Sequence, residues 1–350
     1  MNLYKLTLFF VLPFYFVNAI QAQELLRTYT IPRELLESTR LRYYDFEHGL
    51  FYASFNKSKT VHVYQLETIQ KIREYNLPEW VTSLTLSRDG RYLAIGAMGY
   101  WVQAWDTLTD TMLLEKQIIL SGTYDNYVRY LYMSDDGNYI ITHGYISDRI
   151  YSIDKGDSLI IGSTLPELSA YNPTFWPVFI LPKDYGIMKI KNNPYLLNFK
   201  EEMAIKKIDY QVLCVQKNLA LVSTSDHGYQ LFDVSNPERW IILKDYGDLF
   251  KNYNAYHITS SISKGEQYIY FNSRTDNPAV ILDIHTGRLL FEFSGPEFKS
   301  VDGSYRPGII EDISRDGSYL WINKREQTTE ELQLWDITNL KAMAEGSSTY

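Results

Sequence analysis

The sequence predicts an all-β protein assembled from repeated four-stranded units, and three observations carry that expectation. Tyrosine supplies 30 of the 350 residues, a usage that favours strands and amphipathic surfaces over helical bundles. Short apolar runs, many of them alternating, are separated by tight turns that end in Gly or Asn. Those turns return at a nearly constant interval along the chain.

The elements follow in chain order. Lys5 lies in a short polar start; an apolar stretch then runs from Leu6 to Val17, interrupted by Thr7 and Pro13, and closes on Asn18-Ala19-Ile20-Gln21-Ala22. This is the pattern of a secretory signal peptide cut after Ala22, and the stretch falls short of the roughly 20 residues a bilayer span needs. The expected organisation is a signal peptide over 1–22, one repeat domain over 23–346 and a disordered tail over 347–350. The expected location is periplasmic or secreted, with no membrane span after cleavage. The segment Leu25–Ile31 is rich in β-formers, whereas the chain after Asp336 makes a poor strand. The N-terminal segment is therefore expected to supply the outer strand of the last unit, because a repeat array of this kind must cover its open edges.

The clearest unit runs from Val81 to Asp106. Leu84 and Leu86 alternate before Ser87-Arg88-Asp89-Gly90, Tyr92 to Gly96 form a second strand, and Trp101 to Asp106 form a third. Gly90 is expected at a positive φ, which Gly tolerates cheaply. The turn recurs at Ser134-Asp135-Asp136-Gly137, Ser263-Lys264-Gly265 and Ser314-Arg315-Asp316-Gly317, with weaker forms at His48-Gly49, Tyr185-Gly186 and Lys217-Asn218. From Gly49 to Gly317 the mean spacing is near 45 residues, the length of a four-stranded propeller blade. The third strands are expected to end at Trp105-Asp106, Ile153-Asp154, Phe232-Asp233, Leu282-Asp283 and Trp335-Asp336.

On these Ser-x-Asp-Gly turns and the two Trp-Asp dipeptides, residues 40 to 340 resemble the WD40 family. The resemblance implies a single seven-bladed β-propeller of four-stranded antiparallel blades, closed by the N-terminal strand. Six or eight blades stay open as alternatives, since Pro173, Pro177, Pro182 and Pro194 interrupt the fourth unit. The family's Gly-His dipeptide is absent, so its Asp-His-Ser-Trp hydrogen-bond network is not carried over to Asp89, Asp136 and Asp316.

Composition narrows the function. A formal net charge of −8 with no basic run offers no counterion release to drive nucleic-acid binding. Cys214 is the one cysteine, which rules out an intramolecular disulfide, a CxxC pair and a cysteine zinc site. Its apolar neighbours mark it as a small buried hydrophobe. There is no GxSxG, phosphate loop or GxGxxG, and the six histidines show no metal-ligand spacing. No cofactor, metal or catalytic residue is expected. The alternative is an enzyme in which His143 and His227, with Asp148 and Asp226, meet at a channel mouth.

Aromatic residues crowd the segments expected to join one blade to the next. Trp80, Tyr124, Tyr127, Trp176, Tyr246, Tyr253, Tyr256 and Tyr305 are the candidate binding residues, with Tyr75 in the same class. Rigidly presented rings give large contact area at little entropic cost, which suits a protein partner, with a glycan as the alternative ligand. The expected function is a non-enzymatic interaction scaffold or a subunit of an envelope or secreted assembly.

Overall fold

The computed structural model describes residues 24–32, 35, 39–117, 127–144, 148–159, 179–181, 184–190, 193–224, 228–247, 258–273, 279–293, 298–299, 305–306, 309–325 and 330–338. The chain forms two compact units, Glu34–Leu249 and Met1–Arg33 with Phe250–Tyr350. Strand β1 (Glu24–Ile31) belongs to the second of these.

The unit Glu34–Leu249 contains five four-stranded antiparallel sheets. Blade 1 is β2 (Thr39–Asp45), β3 (Leu50–Phe55), β4 (Thr60–Gln65) and β5 (Lys71–Asn76). Blade 2 is β6 (Val81–Leu86), β7 (Tyr92–Ala97), β8 (Trp101–Asp106) and β9 (Thr111–Gln117). Blade 3 is β10 (Val128–Met133), β11 (Tyr139–Gly144), β12 (Asp148–Ser152) and β13 (Asp157–Leu159). Blade 4 is β14 (Phe179–Leu181), β15 (Tyr185–Ile190), β16 (Asn193–Asn198) and β17 (Met203–Lys207). Blade 5 is β18 (Gln211–Gln216), β19 (Leu219–Ser223), β20 (Tyr229–Asp233) and β21 (Ile241–Gly247).

In the other unit, blade 6 is β22 (Ile258–Ile262), β23 (Tyr268–Ser273), β24 (Ala279–Asp283) and β25 (Leu289–Phe293), followed by a hairpin of β26 (Phe298–Lys299) and β27 (Tyr305–Arg306). Blade 7 is β28 (Ile309–Ile313), β29 (Tyr319–Arg325) and β30 (Glu330–Asp336), completed on its outer edge by β1. The register of that last pairing runs antiparallel from Glu24↔Asp336 to Ile31↔Glu330. Ile31 is fully buried, and Tyr29 packs on Trp321 at 5.5 Å. The fold is a seven-bladed β-propeller, with the N-terminal segment in the place its sequence predicts.

The Ser-x-Asp-Gly turns are built alike. In blade 2, Ser87 Oγ donates to Asp89 Oδ1 at 2.7 Å and accepts from the Tyr92 N–H at 2.8 Å, while Asp89 Oδ1 accepts from the Arg91 N–H at 3.1 Å. Ser134–Asp136 and Ser314–Asp316 repeat these bonds. Gly90, Gly137 and Gly317 share a φ of 74°.

Three of the expected turn positions need correction. The positive φ falls on Glu266, Asp184 and Lys217, not on Gly265, Gly186 or Asn218. Two of those glycines answer to packing: a Cβ at Gly265 would lie 1.9 Å from the Arg315 carbonyl oxygen, and one at Gly186 would lie 2.2 Å from Phe199 Cζ. Close approach, and not backbone handedness, requires glycine there.

The third-strand signature is also displaced in blade 3. Asp106, Asp233, Asp283 and Asp336 pair across the sheet with Tyr92, Leu219, Tyr268 and Tyr319, and each side chain caps N–H groups of the following turn. The residue opposite Tyr139 is Ser152, whose Oγ accepts from the Lys155 N–H, while Asp154 is exposed two positions beyond. Ser152 therefore holds the place expected of Asp154, because a short hydroxyl caps a turn as an aspartate does.

The core is a series of layers between neighbouring blades, and this is where the tyrosines go. Tyr52 and Tyr75 lie between blades 1 and 2, Tyr100 and Tyr151 between blades 2 and 3, and Tyr268 between blades 6 and 7; all five are fully buried. Burial pushes the Tyr52 and Tyr151 phenols far above their ordinary pKa. Tyr139 is pushed up to about 12, by burial first and by Asp184 second.

A further regularity sits in the outer strands. Six of the seven carry a bulge at a Leu or Ile, namely Leu26, Ile72, Leu113, Ile205, Leu243 and Leu290, and β21 has a second register shift at Tyr246. A bulge strengthens the local twist and re-aims side chains. Leu113, Ile205 and Leu290 use it to pack against the layer shared with the next blade.

Candidate interaction surface

The candidate surface is built on three successive blades of one unit. The β3–β4 hairpin turns at Lys57, which takes a positive φ of 57°. Its backbone then binds the segment entering blade 2: Leu77 N–H donates to Lys59 O, and Val81 N–H to Ser58 O, both at 2.8 Å. From there Met98 N–H donates to Trp80 O at 2.8 Å, and Met98 forms an antiparallel bridge with Tyr127. Lys57, Trp80, Met98 and Tyr127 are thus carried by one continuous hydrogen-bonded backbone.

The side chains on that backbone combine rings and cations. Trp80 is 38% exposed, and the Lys57 ammonium stands 5.5 Å from its ring centroid. Such an exposed cation–π contact is worth about 0.5–1 kcal/mol. Arg129 Nε donates to the Tyr127 hydroxyl at 3.2 Å. Tyr130 is 53% exposed and stacks on the buried His143 ring at 5.8 Å.

Rigidity comes from below. Thr82 Oγ1 and Ser83 Oγ both donate to the Val128 carbonyl, at 2.6 and 3.2 Å, tying blade 2 to blade 3. Gly96 permits that closeness, since a Cβ there would meet Ser83 Oγ at 2.5 Å and Val128 Cβ at 2.7 Å. Beside it, the β7–β8 hairpin turns through Gly99 and Tyr100 with φ of 69° and 54°. A tyrosine in the left-handed region costs about 1–2 kcal/mol. Burial of nearly its whole side chain between the blades offsets that cost.

The expected binding residues divide three ways. Trp80 and Tyr127 come together on this surface. Tyr124, Trp176, Tyr253 and Tyr256 lie outside the described residues, and Tyr305 is placed in β27 opposite Lys299 with its side chain outside the description. Tyr75 and Tyr246, expected in loops, are buried strand residues. Tyr75 stands three positions after the bulge at Ile72 and packs beneath Trp105 at 5.0 Å, and Tyr246 is itself the residue skipped at the second register shift of β21.

Of the alternative catalytic set, His143 is buried in β11 with its backbone opposite Asp148, whose side chain is outside the description, as are Asp226 and His227. Among the described residues no three His, Cys, Asp or Glu side chains are grouped to hold a metal. No described helix is long and apolar enough to cross a membrane. Cys214 is buried.

Lys57, Met98, Arg129 and Tyr130 were not visible as site residues in the sequence. A recurring Gln-x-(Trp/Phe)-Asp at the third strands is a signal the sequence does carry: Gln103 and Gln333 accept from the Trp105 and Trp335 indoles, and Gln103 and Gln230 donate to Glu115 and Asp245 on the outer strands.

No family model matches the chain, and no curated protein matches it in sequence. Solved structures do match in shape. The β-propeller domain of Myceliophteria thermophila Cps50 (Swd1) aligns with a TM-score of 0.61 at 14% identity, over 90% of this chain and 100% of that one. The computationally designed Ika8 protein aligns with a TM-score of 0.52 at 17% identity, over 85% and 83%. At such identities the likeness establishes the β-propeller fold and nothing further.

Proposed function

We propose that the chain is a degenerate WD40-like propeller, exported from the cytoplasm, that acts as a non-enzymatic scaffold and binds a protein partner through the surface of blades 1 to 3. The observation that carries the reading is Trp80: a large ring left exposed beneath a lysine, on backbone fixed to two neighbouring blades. Tryptophan on a rigid base is the residue type in which binding energy concentrates. The flanking Tyr127–Arg129 pair adds a second ring and a second cation. Export rests on the apolar N-terminal segment and its small-residue exit.

Affinity capture from the envelope and secreted fractions tests the reading. A protein that co-purifies with the wild-type chain should bind the Trp80→Ala variant about 30-fold more weakly, the loss typical of a central anchor. Capture unchanged in a Trp80→Ala/Tyr127→Ala double variant would defeat it.

A further inference from the structure

Arg149 and Tyr151 stand two residues apart on β12, and successive side chains of a strand point to opposite faces. Tyr151 packs into the layer shared with blade 2, while Ile150 between them packs into the layer shared with blade 4. Arg149 therefore enters the same layer as Tyr151. Across the sheet it faces Thr142, whose hydroxyl donates to the Arg149 carbonyl at 3.4 Å, and beyond that Leu131; both are buried. Blade 2 contributes Tyr100, Val102 and Leu114 to the layer.

Two polar atoms in these apolar surroundings are closed off from solvent and have no hydrogen-bond partner: Arg149 Nε and the Tyr151 hydroxyl oxygen. The Arg149 guanidinium makes no ion pair among the described residues. Its charge nevertheless acts on the phenol. Burial raises the Tyr151 pKa, Arg149 pulls it down and Asp157 pushes it up, and the net rise keeps the hydroxyl protonated. Asp157 does not supply the missing acceptor to Arg149; it is exposed and lies 3.8 Å from Lys116.

An N–H donor, an O–H donor and one fixed positive charge, with no acceptor for them, define the chemistry that fits. A buried donor left without an acceptor is costly, and a charged one more so. Water accepts from both groups but leaves the charge uncompensated, and a dianion overcompensates it. A small monovalent anion takes both bonds and neutralises the arginine.

We propose that the layer between blades 2 and 3 binds a small monovalent anion, of which chloride is the simplest, between Arg149 Nε–H and the Tyr151 hydroxyl. The site uses none of the residues of the candidate interaction surface, so it stands independently of that reading.

Thermal unfolding at constant ionic strength, with chloride exchanged for gluconate, tests the site, and broadening of the chloride NMR line reports the bound ion directly. A ligand that binds only the folded chain stabilises it by mass action, so the wild-type melting temperature should rise by about 3 °C as chloride goes from about 1 to about 300 mM. Tyr151→Phe and Arg149→Gln should each flatten that rise and remove the broadening. In gluconate alone Tyr151→Phe should melt no lower than wild type, because it removes a donor that lacks an acceptor and keeps the ring. A wild type indifferent to chloride, broadening that survives Arg149→Gln, or a Tyr151→Phe variant that melts equally far below wild type with and without chloride would overturn the proposal.

Discussion

Blades 2 and 4 have the same topology and hold it by different means. In blade 2 the ends are fixed by polar groups. Ser87 and Asp89 close the first turn, and Asp106 caps the Leu108 and Thr109 N–H groups while accepting from Arg91 at 2.9 Å. In blade 4 Asp184 takes the positive φ, Asn198 caps the Glu201 N–H alone, and Phe199 fills the space left by Gly186 and packs on Tyr139 at 5.1 Å. The polar signature of the repeat is thus one way of ending strands. Cross-strand register and the layers between blades make the fold, and apolar packing supplies them even where the signature is lost.

The sharpest way to break the comparison is Phe199→Ala. The side chain is fully buried, and its removal should cost about 3–5 kcal/mol of unfolding free energy in a denaturant titration. A loss below that of the polar variants would mean that blade 4 is not held by its core. Next comes Asp106→Ala, which removes two backbone caps and the Arg91 contact and should cost about 2 kcal/mol, whereas Asn198→Ala should cost about 1. Equal losses would erase the distinction between the blades.

The smallest effect is in acid. Burial acts to raise the Asp106 pKa, but the hydrogen bonds from Arg91 and from the Thr109 and Leu108 N–H groups outweigh it and leave it lowered. Asp336 is lowered through the Thr338 hydroxyl and N–H. A group whose pKa is depressed on folding stabilises the fold above its unfolded value and loses that contribution as pH falls through the folded one. Hydrogen exchange below pH 3.8 should therefore loosen the third-strand turns of blades 2 and 7 before that of blade 4, where Asn198 does not titrate. Simultaneous loosening would contradict the assignment.

Local signals are legible in the sequence, and non-local ones are not. Ser87, Asp89 and Gly90 act within six residues of one another, so the turn and its spacing follow from the sequence alone, whereas seven blades are separated from six or eight only by the strand pairing. Gly186 and Gly265 also look like turn glycines, but what demands them is Phe199 in one case and the Arg315 carbonyl in the other. The same limit governs the surface. Trp80 and Tyr127 could be named as rings, but Lys57 and Arg129 join them only through a hairpin of another blade and a bulge in β10. The buried places of Tyr75 and Tyr246 go with register shifts, at Ile72 in β5 and at Tyr246 itself in β21. An aliphatic residue repeated in the outer strands marks those bulges, a pattern visible only once the strands are aligned by pairing.

The pairing of β1 with β30 has a consequence for synthesis. Ile31 leaves the ribosome long before Glu330 exists, so this strand waits for the last blade to be made, and until then the nascent protein carries an unpaired ribbon of backbone. Any product cut short before β30 keeps that ribbon bare, which gives proteases and chaperones a plain way to distinguish an unfinished molecule from a finished one.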